Sequence, residues 1–418
     1  MASSSRRAEN ESEASTASVT SVTNSLREMV ARSLRVAGDL SGLTFLDETS
    51  LKKYGPEQVL SRMLSTKSYI STSSSQAARN QAAHDGELVL RAAREVGKGQ
   101  CGTVYAMTGT QYVLKMPNDG KVNELFEDCC IHKEIEEAFS DLEISLRPEV
   151  NIPAFGEWIH PSNDQFWNSY LQYLPANTPK SYGLLSSRIL PLPEPVREAI
   201  WTQFAPQKIR DGAAKQRELA EPKNKDCLVR VYLGRRIQRT ESPNFKLRNF
   251  ELSVNEMEYL RLDTKMYADT MGRTLAFLHW KVGVDANDVE FVLGSTPMIK
   301  PAARAAEYRA RGKDGARFIG QGLDFTHRAV RLWLLDFNQC KRFPGTAAGL
   351  KQLVDGFYWN DPYYPRPGAK ETKDQQLWIT FKEAYLEMSG CVSTSKGKAE
   401  PFIKAVEVRS KSQVGTLF

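Results

Sequence analysis

Eight residues constrain this chain more than any others: Gly97-Lys98-Gly99-Gln100-Cys101-Gly102-Thr103-Val104. Glycines at this spacing let a backbone turn tightly and approach phosphate oxygens with no Cβ in the way. In dinucleotide-binding folds such a loop must open a helix. Here TVYAM follows, and after TGT comes QYVLK. These two short β-prone runs predict a hairpin. The loop therefore lies between strands, where Gly97, Gly99, Gly102 and Val104 would cover a nucleotide. A glycine-rich hairpin with no ligand is the competing reading of the loop taken alone. Lys115 ends the second run, where its ammonium can reach nucleotide phosphates. Residues 122–139 have helical apolar spacing and offer Glu134, Glu136 and Glu137. Glu134 is the expected partner of Lys115 by its spacing; a solvated face for all three is the alternative.

Further along come LHWKVGVDANDVEFVLG, then LLDFN. In that order, GKGQCGTV, VLK, a Glu-bearing helix and these two segments resemble a divergent protein-kinase-like family. The chain is similar to fungal proteins with a kinase-like domain of uncharacterised function, which share CLVRVYLG, LAFLHW, DANDVEFVLG, LLDFNQC and NDPYYPRP. The resemblance covers roughly residues 87–390. It implies an α+β, bilobal protein-kinase-like fold with a β-rich N-lobe and a helical C-lobe.

The resemblance also distributes roles. Asp285 falls where the catalytic aspartate of H-R-D-x-x-x-x-N stands, and Glu290 takes the place of the asparagine. Asp285 is thus expected to orient or deprotonate an acceptor, with Asp288 as its competitor. Glu290 and Asp336 are expected to hold Mg²⁺, since carboxylate oxygens suit that ion, and ATP is the expected nucleotide. Gly283 replaces the usual histidine, and Asn338 the usual glycine after Asp-Phe. Asn tolerates left-handed backbone, so that turn can survive. An acidic surface turn at 285–290 and a turn cap at Asp336 are the bland alternatives. No APE-like segment follows, which favours a small-molecule acceptor over a protein, although a protein partner stays possible. The PYYPRP run reads first as rigid packing. ATP-dependent phosphotransfer is the leading expectation. A pseudokinase-like scaffold, ligation and nucleotidyl transfer are the alternatives.

Composition narrows the setting. The formal charge of +6 comes from 56 basic and 50 acidic side chains. That excess is too small to argue for nucleic acid. Six cysteines without CxxC spacing argue against structural zinc and for reduced thiols. No signal peptide and no membrane span are expected, which suits the cytoplasm or nucleus. The expected organisation is a disordered tail (1–26), a helical extension (27–86) and an N-lobe with hinge (87–192). A C-lobe (193–394) with insertions at 207–226 and 295–328 follows, and a C-terminal tail (395–418) ends the chain.

Overall fold

The computed structural model describes residues 46–72, 77–78, 81–82, 93–107, 111–241, 244–299, 305–315, 323–392 and 397–414. The expected tail at 1–26 lies outside the described residues, as does the start of the expected first strand at Glu87. The chain is α+β, with two sheets among the described residues and a helix-rich C-terminal region.

The first sheet is built from β3 (Arg94–Lys98), β4 (Gly102–Ala106), β5 (Tyr112–Pro117), β6 (Phe155–Ile159) and β7 (Gly183–Ser187). Its order is β3-β4-β5-β7-β6, with every neighbour antiparallel. A long helix, α2 (Val122–Ser140), separates β5 from β6. It buries Leu125, Asp128, Cys129, Ile131, His132, Ile135 and Phe139. These recur three or four residues apart, the spacing of one helical face.

The second sheet has six strands and adds β structure to the half expected to be helical. Its centre is a long hairpin of β10 (Glu290–Ile299) and β11 (Leu323–Leu335). The expected insertion at 295–328 is therefore strand at both ends. On one side, β8 (Val229–Tyr232) pairs with β10 and carries β9 (Phe250–Ser253). On the other lie β2 (Tyr69–Ser71) and β1 (Leu46–Asp47). The extension at 27–86 is thus not simply helical: it supplies two edge strands. Between them, α1 (Pro56–Met63) buries Val59, Leu60 and Met63.

Further helices are α3 (Gly212–Ala220), α4 (Thr264–Phe277), α5 (Ala347–Trp359), α6 (Thr372–Val392) and α7 (Ala399–Val414). A Cβ on Gly272 of α4 would collide with the Phe381 carbonyl of α6, so glycine permits that close helix approach. The 207–226 segment is less detached than its composition suggests. Although α3 has no buried residue, Asn224 is fully buried, donating to the Glu218 carbonyl and accepting from the Leu247 amide. The C-terminal tail is also corrected. Helix α7 buries Phe402, Ile403 and Val406, apolar residues on one face. Among the described residues, no helix is long and apolar enough to cross a membrane.

Candidate active site

Strand register builds the site from the glycine loop outward. Lys115 on β5 pairs with Val104 on β4. A Cβ on Gly102 would meet the Met116 carbonyl oxygen at 2.5 Å and Lys115 Cγ at 3.2 Å. Glycine here lets the strand bearing Lys115 lie this close. The loop tip is held by Asn118, whose side-chain amide donates to the carbonyls of Gly99 and Gln100, both at 3.0 Å. Sequence reading did not single out Asn118.

Below the loop is a cavity of about 390 Å³. Gly97, Gly99, Val104 and Lys115 line it from the first sheet, and Glu290 and Asp336 from the second. Glu290 pairs with Leu335 across the β10–β11 hairpin, so Asp336 emerges beside it. Asp336 has φ 65°, a left-handed conformation costly for a residue with a Cβ. The left-handed turn therefore falls at Asp336 and not at Asn338. Instead, the Asn338 amide faces Cys101 Sγ of the glycine loop at 3.6 Å.

Lys115 Nζ lies 2.7 Å from Asp128 and 3.6 Å from Asp336. Burial opposes its charge, but the two carboxylates outweigh burial and hold the ammonium well above its ordinary pKa. This corrects the expected Glu134 partnership. Glu134 pairs with Arg342 at 2.6 Å. It follows Asp128 by six residues, about 240° round a helix, and so faces elsewhere. Glu136 accepts from the Phe155 amide. If the cavity takes a nucleotide, as the sequence leads one to expect, Asp128→Ala should weaken the Lys115 arrangement and lower nucleotide affinity, whereas Glu134→Ala should leave affinity within twofold. Titration of both variants with a fluorescent ATP analogue checks this; equal losses would contradict it.

The carboxylates differ in their freedom. Burial raises Asp336, with Lys115, 3.6 Å from its Oδ1, opposing. Burial pushes Glu290 up to about 7, against the pull of Arg230. Glu290 lies in a close ion pair with Arg230, so it is less available to a metal than the sequence suggested. Among the described residues, no three His, Cys, Asp or Glu side chains form a ready metal cage.

Asp285 is placed differently from expectation. It is 4% exposed and does not line the cavity. Its carboxylate accepts from the amides of Asn287 (3.1 Å) and Lys341 (2.9 Å) and from the Gln352 side chain (2.7 Å). It thus anchors the loop, which answers how a loop entered through Gly283 is held. Gly283 itself has φ 84°, the left-handed geometry glycine accepts without strain. Three residues on, Asp288 is half-buried and accepts from Gln339 at 2.6 Å. Asn360 clamps the same loop, accepting from the Asp288 amide and donating to the Ala286 carbonyl. The NDPYYPRP run therefore includes a support for the site.

Residues 332–397 match the DUF3669 family model, described as zinc finger protein. That stretch holds Cys340 and Cys391 and no histidine, two short of the four Cys or His ligands of a zinc finger. Cys340 is buried and Cys391 exposed. No curated protein matches the chain.

Proposed function

We propose that this chain is a protein-kinase-like enzyme that transfers a phosphoryl group from ATP, with Mg²⁺, to a small-molecule acceptor. The observation that carries this reading is Lys115, held between Asp128 and Asp336 beneath a glycine loop. The antiparallel sheet with α2 inserted after β5 fits the β-rich lobe of such a fold. The residues also fit the metal. Asp336 presents a buried carboxylate to the cavity, with Lys115 3.6 Å from its Oδ1, and Mg²⁺ is commonly held by one or two carboxylates plus substrate phosphates. When bound, the ion would neutralise phosphate charge. Lys115 would position the phosphates, and the glycine loop would cover them while excluding water.

ATP affinity should fall at least tenfold when divalent metal is chelated, because the Asp336 carboxylate would then face the phosphates with no metal between them. Calorimetry with and without Mg²⁺ tests this, and equal affinities would defeat the reading. A nucleotide-binding scaffold is the second reading, favoured by the saturation of Asp285 with three donors. Its signature would be Mg²⁺-dependent ATP binding with no ADP release.

A further inference from the structure

The cavity carries a buried cation well away from Lys115. Arg188 lines it, and the Arg188 side chain is only 8% exposed. Arg188 follows β7, and its amide donates to the Gln111 carbonyl, continuing the ladder between β7 and β5. Lys115 pairs with Leu184, four residues earlier. Extended chain of that length offsets the two cations along the sheet by about 13 Å. Val113, opposite Ser186, falls between them and also lines the cavity, with Val104, Leu228 and Val292. Charge at the Arg188 end is out of balance. Asp226 accepts from Arg188 at 3.0 Å, but it also accepts twice from Arg94 and lies 3.9 Å from Arg248. One carboxylate thus serves three guanidiniums. Arg328, itself 4% exposed, repels Arg188 as well. Among the described residues, Asp226 is the one acceptor that the Arg188 side chain meets. Most of the five donors of that guanidinium are left for whatever fills the cavity.

We propose that Arg188 reads the nucleobase, and that the preferred nucleotide is GTP, whose guanine sets the O6 and N7 acceptors side by side. This rests on the phosphotransferase reading and narrows its donor, with ATP the weaker ligand. The span sorts the ligand's groups. With the phosphates at Lys115, the far end of the same molecule, its base, meets Arg188. The apolar residues between suit the faces of a flat ring, and one placed polar group fixes its orientation. Arginine only donates, and its planar fork meets O6 and N7 in two parallel bonds. Adenine sets an amino group where guanine has O6. Two donors would then face each other, and a buried donor left unpaired costs affinity.

The test uses the full chain with Mg²⁺ and compares GTP, ATP, ITP and 7-deaza-GTP by calorimetry. GTP should bind more tightly than ATP by about fivefold or more, the lower end for one bidentate arginine–guanine contact. ITP keeps both O6 and N7 and should match GTP within about twofold, whereas 7-deaza-GTP lacks the N7 acceptor and should bind about threefold or more weakly than GTP, the loss of one hydrogen bond. Arg188→Gln should bring GTP and ATP within about twofold of each other, chiefly by weakening GTP, because the two-pronged donor is gone. Its fold should hold, since the substitution removes a charge that burial and Arg94 already oppose. A urea midpoint checks that, and if the variant does not fold, the four nucleotides decide on the unaltered chain alone. The inference is overturned by a smaller preference for GTP, by ITP binding like ATP, or by 7-deaza-GTP matching GTP. An unchanged GTP-to-ATP ratio in folded Arg188→Gln overturns it equally. If none of the four binds with Mg²⁺, the phosphotransferase reading itself fails, and the base preference with it.

Discussion

Replacing Asp226 with alanine should destabilise the fold by about 3–5 kcal/mol, the usual cost of breaking a buried ion pair from one side. Asp226 is 6% exposed. It accepts two hydrogen bonds from Arg94 and one from Arg188 at 3.0 Å, and Arg248 lies 3.9 Å away. Burial pushes the Arg188 pKa down, and Asp226 is the main group opposing that. Without the carboxylate, Arg188 would be a buried charge beside a second, repelling guanidinium. The position matters as much as the charge. Arg94 belongs to β3 of the first sheet, Arg188 follows β7, and Asp226 leads into β8 of the second. One carboxylate therefore ties the two sheets at the wall of the cavity. Urea denaturation measures the loss. Asp226→Asn, which keeps one acceptor oxygen, should lose less than alanine. A loss below about 1 kcal/mol for alanine, the level of an exposed pair, would show that the cluster is not a tie.

The parts of the site legible in the sequence are those whose residue type is dictated locally. Glycine at 102 answers a steric demand from the next strand, and a hydrophobic run ending in Leu335 brings Asp336 out at the open end of a hairpin. Partners chosen across the fold were less legible. Spacing along α2 favours Glu134, and no neighbouring residue marks Asp128 as the partner of Lys115. The usable signal was its face: Asp128 shares a stripe with Leu125, His132 and Ile135. The donors that saturate Asp285 come from Lys341 and Gln352, far along the chain, and no local pattern announces them. For α7, Lys, Glu and Ser masked the signal, although Phe402, Ile403 and Val406 have helical spacing. Strands β1 and β2 are two and three residues long, too short for alternation to register.

Under the proposed phosphotransfer, Lys115→Met should lower ATP turnover by about 10²–10³, the range for losing one preorganised donor that meets developing charge. The same substitution should also destabilise the protein, because Asp128 is 4% exposed and would keep a buried charge without its nearest cation. A loss of activity alone could therefore reflect either cause. Adding Asp128→Asn separates them. In the double variant both charges of the 2.7 Å pair are gone, so the denaturation midpoint should recover most of what Lys115→Met loses. Turnover should not recover, since no ammonium remains to position the phosphates. The two measurements are thus expected to diverge: stability depends on balancing charges within the site, and transfer depends on leaving a cation for the nucleotide. If turnover returns with stability in the double variant, Lys115 serves the fold alone. If Lys115→Met keeps full turnover, the phosphate-positioning role is wrong, and the Lys115–Asp128 pair is an interior salt bridge beneath a glycine-rich loop.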